Sequence, residues 1–194
     1  MRSNTLRKRR WLALAGLTAL FALAAAVPAS AQTGGTPPPG STEPTPTPTP
    51  TGPPGKATLL PNGKAVAPAN APPAVQNAIN AGNAIRKRPY VWGGGHQSFI
   101  STGYDCSGAV SYVLNGAGLL SSPMPSGPFM SWGLPGKGYW ITVYANGGHM
   151  YAVIAGLRFD TSAVGESVRR GSGPRWRASK RKPTGYAVRH YQGY

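Results

Sequence analysis

A proline-rich segment decides how much of this 194-residue chain is able to fold. Residues 32–73 carry Thr-Pro repeats, most regular over residues 43–50, followed by a stretch rich in Ala, Pro and Asn. Proline fixes φ and removes a backbone donor, and almost nothing in this segment is apolar enough to bury. We therefore predict a disordered linker over residues 32–73 and a folded domain over residues 74–194. A domain of about 120 residues supports one modest hydrophobic core.

The first 31 residues have the three-part layout of a secretory signal peptide. Basic residues occupy the start, an apolar run extends from Trp11 to Val27, and Ala29-Ser30-Ala31 offers a small-residue cleavage site. The apolar run is shorter than the roughly 20 residues that a membrane-spanning helix needs. We therefore expect an exported protein, with an uncleaved membrane anchor as the alternative.

Charge and composition exclude several classes of function. The chain has a formal net charge of +16, and removal of residues 1–31 leaves about +11. The carboxylates are few: Glu43, Asp105, Asp160 and Glu166. A two-carboxylate glycosidase is hard to build from this set, and no group of His, Cys, Asp and Glu has metal-ligand spacing. We therefore expect neither a metal site nor any other cofactor.

Cys106, the only cysteine, is the candidate nucleophile. A glycine loop over residues 93–95 precedes it, and apolar residues at helical spacing follow over residues 109–114, so Cys106 is predicted in the first turn of a helix. Backbone N–H groups at a helix start favour a thiolate. A thiol that attacks an amide also needs a base, for which His149 is the candidate. The alternative is a buried cysteine that packs as a small apolar side chain.

The remaining pattern predicts an α+β fold, with helices first and a small antiparallel sheet after them. An apolar stripe of 3.6-residue period predicts a helix over residues 74–88. The helix that begins at Cys106 is predicted to end at Gly116 or Gly118, where glycine offers a C-cap. Residues 119–138 are predicted as a long surface loop. Strands are predicted over residues 140–144, 149–155, 157–160 and 186–189.

Three motifs taken together resemble the NlpC/P60 cysteine peptidases, which are bacterial cell-wall hydrolases with a papain-like core. The motifs are Tyr-x-Trp-Gly-Gly at residues 90–94, Asp-Cys-Ser-Gly at residues 105–108, and Gly148-His149 at the head of an apolar strand. They lie in the family's order, and the resemblance covers residues 74–165. It implies cleavage of peptide bonds in peptidoglycan stem peptides, commonly the γ-D-glutamyl to diamino-acid bond, by a Cys-His thiol mechanism.

The resemblance also implies roles for single residues. Cys106 matches the family's nucleophile and His149 its general base, while Asp160 takes the third position, where it orients the imidazole. Tyr90 matches a tyrosine that helps to hold the oxyanion. The remaining substrate-binding candidates are Asp105, Ser107 and His96. N-capping is the other role for Asp105, and an exposed loop position is the alternative for His96.

Basic residues crowd the C-terminal part of the chain and have no counterpart in the family. They are Arg169, Arg170, Arg175, Arg177, Lys180, Arg181, Lys182 and Arg189. We expect them to attract anionic wall polymers or stem-peptide carboxylates, with a solvated basic face as the alternative. Nucleic acid is not an expected partner, because exported proteins rarely meet it and no nucleic-acid motif is present.

The prediction from sequence is thus a secreted, wall-associated monomer that binds and cleaves peptidoglycan. Two alternatives remain open. One is a catalytically silent wall-binding module of the same fold, and the other is an amidase or acyltransferase that uses the same Cys-His dyad.

Overall fold

The structure is a computed structural model that describes residues 53–164, 173–178 and 180–194. The chain divides into two units, Met1–Pro44 and Thr45–Tyr194, and all described residues belong to the second. The predicted signal peptide and the first part of the predicted linker lie outside the described residues. Within the described ranges, no helix is both long enough and apolar enough to cross a membrane.

The described chain contains a small hairpin, three helices and a larger sheet. The hairpin pairs β1 (Thr58–Leu59) with β2 (Ala65–Val66). The helices are α1 (Pro73–Ile85), α2 (Cys106–Gly116) and the short α3 (Ser126–Phe129). The remaining strands are β3 (Leu134–Pro135), β4 (Ile141–Ala145), β5 (Met150–Ile154), β6 (Leu157–Asp160), β7 (Arg175–Arg177) and β8 (Ala187–His190).

The larger sheet is antiparallel throughout, with the strand order β3-β8-β4-β5-β6-β7. Helices α1 and α2 pack against each other, and α2 contacts β5 and β6 while α1 contacts β5 and β7. Helices packed on an antiparallel sheet confirm the predicted α+β class. The predicted helix at Cys106 and the predicted hairpin of β5 and β6 are also confirmed.

Side chains along the central strands alternate between a helix-facing side and an outer side. Phe159 and Trp176 are on the helix-facing side, where both lie against Gly82 of α1. A Cβ at position 82 would collide with the Trp176 ring, so the glycine in the predicted apolar stripe makes room for the indole. Arg158 and Asp160 flank Phe159 in sequence and therefore point to the outer side of the sheet.

The folded part begins earlier than predicted, because residues 53–73 pack against the domain. The Ala57 N–H donates to the Ala155 carbonyl at 2.8 Å, and the Asn83 side chain holds both the N–H and the carbonyl of Ala65 at 2.8 Å. The side chains of Ala57 and Ala65 are buried. Alanines carry little hydrophobic pattern, so the prediction of a linker is wrong for residues 53–73.

Two further predictions need correction. The predicted loop at residues 119–138 contains α3 and β3, which pairs with β8 at the edge of the sheet. The basic C-terminal part contributes β7, which was not predicted as a strand. The Arg-Trp-Arg sequence of β7 alternates as a strand does. Only one of its residues, Trp176, is apolar and enters the core, so the segment lacks the apolar pattern from which strands are predicted.

Candidate active site

Cys106 is the first residue of α2, and the preceding residue caps the helix. The Asp105 carboxylate accepts a hydrogen bond from the Gly108 N–H at 2.8 Å. An aspartate is favoured here because it satisfies an N–H group that has no partner within the helix. The thiol therefore lies in the first turn, where the backbone N–H groups carry partial positive charge. The residue is 9% exposed, so it is nearly buried.

The glycine loop lies directly on this helix start. The Asp105 N–H donates to the Gly94 carbonyl at 3.2 Å. A Cβ at Gly108 would collide with that same carbonyl, and a Cβ at Gly95 would lie 2.8 Å from the Gly108 Cα. Gly95 also has a φ of +85°, which glycine adopts without strain. Side chains at these positions would push the loop away from Cys106.

His149 immediately precedes β5 and is held by a tight turn. The Asn146 side-chain oxygen accepts hydrogen bonds from the N–H groups of Gly148 at 3.0 Å and His149 at 2.8 Å. The Asn146 N–H donates to the His149 carbonyl at 2.9 Å. The N–H and the carbonyl of His149 are therefore both held by hydrogen bonds, which fixes the backbone that carries the imidazole.

The third predicted residue, Asp160, reaches the imidazole from the neighbouring strand. His149 Nε2 lies 3.0 Å from Asp160 Oδ1, and the Asp160 side chain is fully buried while that of His149 is 20% exposed. Because Asp160 engages Nε2, Nδ1 is the ring nitrogen left for the thiol of Cys106. The structure thus brings His149 and Asp160 together as the sequence predicts.

The imidazole of His149 is also coupled to Cys106. Burial alone lowers the pKa of His149, but hydrogen bonds to Asp160 and to Cys106, together with the negative charges of both, raise it to about 9. The ordinary value is 6.5. The surroundings of His149 therefore favour an imidazolium at neutral pH.

Asp160 stays ionised although it is buried. Burial alone raises the pKa of Asp160, but the hydrogen bond and charge of His149, the Ser162 N–H and the charge of Arg158 hold it below its usual value. The Ser162 N–H donates to Oδ1 at 2.8 Å, and Arg181 donates to Oδ2 at 3.2 Å. Arg158 Nε lies 3.6 Å from the same Oδ2.

The two arginines near Asp160 are the part of the site that the sequence analysis missed. Arg158 and Arg181 lie on either side of β7 in the sequence, and Arg181 was assigned to a basic tail. Of the two, only Arg181 is brought to Asp160 by tertiary packing. A signal was present, since Arg158 lies two residues before Asp160 and side chains at that spacing share a face of a strand.

Tyr90 lies near the thiol, as the family resemblance implies. Burial, and then the negative charges of Cys106 and Asp105, raise the pKa of Tyr90 above its usual value of 10.0. The phenol is therefore protonated at neutral pH and able to donate a hydrogen bond. Tyr90 is 39% exposed, so it lies where a substrate is able to meet it.

His96, Asp105 and Ser107 form a second polar cluster, which includes the residues immediately before and after Cys106 in the sequence. His96 Nε2 lies 2.9 Å from Asp105 Oδ2 and 2.9 Å from Ser107 Oγ, and the Ser107 hydroxyl donates to Asp105 Oδ1 at 3.1 Å. Asp105 and Ser107 are buried, whereas 31% of the His96 side chain is exposed. His96 is therefore not a solvated loop residue, and the role of Asp105 that the structure shows is the N-cap.

The third histidine of the chain, His190, lies on β8. It is half-buried, and its Nδ1 lies 3.2 Å from the Gly136 carbonyl. Among the described residues, no group of three or more His, Cys, Asp and Glu side chains is arranged to hold a metal ion.

Comparison with known proteins finds similarity only among solved structures. No family model matches the chain, and neither does any curated protein. The chain is 24% identical to the peptidoglycan hydrolase RipB of Mycobacterium tuberculosis, covering 64% of this chain and 68% of RipB with a TM-score of 0.47. It is 22% identical to an NlpC/P60 family protein of Bacillus cereus, covering 70% and 50% of the two chains with a TM-score of 0.46.

A third similar structure is RipD of M. tuberculosis, a non-catalytic NlpC/P60 domain protein. It is 20% identical over 61% of this chain and 98% of RipD, with a TM-score of 0.43. The chain spans 61% of the length of a similar structure of a hypothetical invasion protein of M. tuberculosis and 62% of the length of a structure of the Resuscitation Promoting Factor Interacting protein RipA. The solved structures that resemble this chain thus include NlpC/P60 proteins, the family that its three motifs resemble.

Proposed function

We propose that this protein is a secreted, wall-associated cysteine peptidase of the NlpC/P60 type that hydrolyses peptide bonds in peptidoglycan stem peptides. The observation that carries the proposal is His149, bonded to buried Asp160 on one side and coupled to Cys106 on the other. A structural cysteine needs no imidazole, and a structural histidine needs no ionised carboxylate on a buried strand. The peptidoglycan substrate follows from the family resemblance.

The proposed mechanism is nucleophilic catalysis in two steps. The thiol proton passes to His149, and the Cys106 sulfur attacks the carbonyl carbon of the scissile amide. The imidazolium then gives its proton to the departing amine nitrogen as the C–N bond breaks, which leaves a thioester. Water attacks the thioester while His149 takes its proton, so that the acid is released and the thiol is restored.

The raised pKa of His149 supports this sequence of proton transfers. With a pKa of about 9, the imidazole keeps at neutral pH the proton that it takes from the Cys106 thiol, so this same proton is available to the leaving amine. Asp160 supplies the orientation, since its bond to Nε2 directs Nδ1 toward the sulfur. Any shift of the ring would separate the proton from the amine.

Two groups are placed to stabilise the oxyanion of the tetrahedral intermediate. The Cys106 N–H lies at the helix start, and Tyr90 offers a protonated phenol near the thiol. Hydrogen-bond donors aimed at the developing negative charge are usually a large part of such catalysis. In the proposal His96, Asp105 and Ser107 hold the helix start in position and line the substrate cleft.

The proposal is tested by digesting purified peptidoglycan with the protein and identifying the products by mass spectrometry. Cys106→Ala and His149→Ala should each abolish product formation, whereas His190→Ala should retain wild-type turnover as a matched histidine control. Products cut within the stem peptide support the peptidase, and release of the whole stem supports an amidase instead. Wild-type-like turnover by Cys106→Ala would refute thiol catalysis.

The catalytically silent alternative gives a different result in the same preparation. A silent binding module would sediment with peptidoglycan and yield no products from the wild-type protein. Its cysteine would also resist alkylation, whereas a thiolate paired with His149 should react rapidly with iodoacetamide near neutral pH. A wild-type protein that binds peptidoglycan but neither cleaves it nor reacts would therefore favour the silent module.

A further inference from the structure

The outer side of the larger sheet carries a cavity that adjoins the candidate active site, because Arg158 and Arg181, which contact Asp160, also line it. Tyr144 and Tyr151 are direct partners in the β4–β5 register, and their rings stack with centroids 4.7 Å apart. Both rings line a cavity of about 480 Å³. Neither Cys106 nor His149 lines it. Pockets of 300–1,000 Å³ typically hold a drug-sized organic group, so this one has room for more than a bare ion.

The lining of the cavity is strongly cationic. Its charged members are Lys56, Lys137, Arg158, Lys180 and Arg181, and among the described residues no carboxylate lines it. Within the described ranges the only acidic side chains are Asp105 and Asp160. Asp160 contacts two of the lining cations, Arg158 and Arg181, so within the described ranges the three lysines carry the positive charge that no acidic side chain neutralises.

Tyr151, one of the lining residues, has a buried hydroxyl that lacks a partner within the described part of the chain. Tyr151 is 1% exposed, and within the described part of the chain its phenol oxygen is buried without a hydrogen bond. Burial raises the pKa of Tyr151 far above its usual value, so the phenol keeps its proton and is able to donate. An unpaired buried hydroxyl is costly, and a bound acceptor would remove that cost.

We propose that this cavity binds a phosphate ester, with the lysines at its rim around the phosphate and the tyrosines against the organic part. A phosphate ester brings up to two negative charges and three strong acceptor oxygens that point in different directions. Lys56, Lys137 and Lys180 are exposed and come from three separate segments of the chain, so they approach such a group from different sides. A planar carboxylate presents only two oxygens to the same set of donors.

The binding test is isothermal titration calorimetry on the full protein with glycerol phosphate, an oligomer of glycerol phosphate, and succinate as a dicarboxylate of similar charge. Glycerol phosphate should bind with at least about tenfold lower Kd than succinate, because the donors converge on a tetrahedral group. Tighter binding of the oligomer would identify a polymer as the source, and equal binding per phosphate would identify a small ester. Equal Kd values for glycerol phosphate and succinate would overturn the proposal.

A pair of charge-matched double variants separates this cavity from general electrostatic attraction. Lys56→Glu with Lys137→Glu reverses two rim charges, and Lys64→Glu with Lys87→Glu makes the same change in net charge on exposed lysines outside the cavity. The rim variant should raise the Kd for glycerol phosphate at least about tenfold, and the control about twofold at most. Equal losses in both variants would show a diffuse basic surface and overturn the proposal.

Tyr151→Phe distinguishes a role in binding from a purely structural role, because a structural role would change the Tm but not the Kd. Removal of an unpaired buried hydroxyl should raise the Tm of the free protein, while the lost donor should raise the Kd for glycerol phosphate about tenfold. A variant with unchanged Kd would exclude Tyr151 from the site. Because none of these measurements needs Cys106, their failure is distinct from failure of the proposed peptidase activity.

Discussion

The ionisation of His149 links the chemistry of the site to its stability. Its pKa of about 9 in the folded protein exceeds the usual 6.5, so the charged imidazole stabilises the fold fully below pH 6.5. This contribution is lost as the pH rises through about 9. Asp160 has the opposite sign, because its lowered pKa adds stability above its usual 3.8 that is lost as the pH falls toward its folded-state value.

The coupling of His149 to Cys106 predicts a shift in an NMR titration. Replacement of Cys106 by Ala removes a hydrogen-bond partner and a negative charge, so the pKa of His149 should fall below about 9 while remaining above 6.5 because Asp160 is still present. The pKa is read from imidazole chemical shifts between pH 5 and pH 10. The control is the same titration in His190→Ala, in which the pKa of His149 should be unchanged. An unchanged titration of His149 would show that thiol and imidazole do not interact.

Asp160→Asn should lower kcat by about 10- to 1,000-fold and leave activity above that of Cys106→Ala, because it misorients the imidazole without removing the nucleophile. The same variant should lose roughly 3 kcal/mol of unfolding free energy, since buried Arg158 loses its carboxylate partner. Kinetics on muropeptides and urea unfolding measure the two effects. Full activity in a folded Asp160→Asn variant would contradict the orienting role.

At the scale of elements, the candidate site is a junction between a helix start and a glycine loop. The cap of α2 and the loop at residues 93–95 share hydrogen bonds and one close backbone approach at Gly108. Packing this tight leaves no room for a side chain, and interiors relax only partly around added atoms. The position of Cys106 therefore depends on the absence of a Cβ two residues further along the chain.

Gly108→Ala should destabilise the protein by roughly 2 kcal/mol and reduce activity, because the new methyl group collides with the Gly94 carbonyl. Gly118→Ala and Gly116→Ala are poor controls, since one has a positive φ and the other meets Ala81. Gly127→Ala is suitable, because nothing lies within 4 Å of the added atom. Thermal unfolding of both variants tests this prediction. A Gly108→Ala protein as stable as Gly127→Ala would refute the close approach of Gly108 to the Gly94 carbonyl.

At the scale of the whole described domain, the hairpin of β1 and β2 closes the fold beside α1. Asn83 on α1 mimics a neighbouring strand, since its amide both donates to and accepts from the backbone of Ala65. Buried backbone groups need such partners, and a lost partner costs the desolvation of the group left behind. One side chain thus ties together segments that are 18 residues apart.

Asn83→Ala should destabilise the protein by roughly 2 kcal/mol, because the N–H and carbonyl of Ala65 both lose their partner. Asn77→Ala, on the exposed face of the same helix, should change stability by about 0.5 kcal/mol at most. Chemical denaturation at pH 7 measures both. Equal stabilities for the two variants would mean that the hydrogen bonds between Asn83 and Ala65 contribute nothing to stability.

Several features followed from local sequence alone. The Asp105 cap, the helix from Cys106 to Gly116 and the hairpin of β5 and β6 all depend on residues within a few positions of one another. Caps, glycine turns and the periods of helix and strand act over that range, so they can be predicted from the sequence alone. The chemistry-bearing pair Cys106 and His149 was found the same way, from residue type and position within an element.

Only the tertiary structure decided what surrounds that pair. The contact of Arg181 with Asp160, the entry of Trp176 into the core and the fold of residues 53–73 all join segments that are distant in the sequence. No periodic pattern encodes such contacts, because each depends on where the sheet register and helix packing bring two segments together. The sequence by itself therefore determined the candidate reacting groups, and the packing determined their charge and their partners.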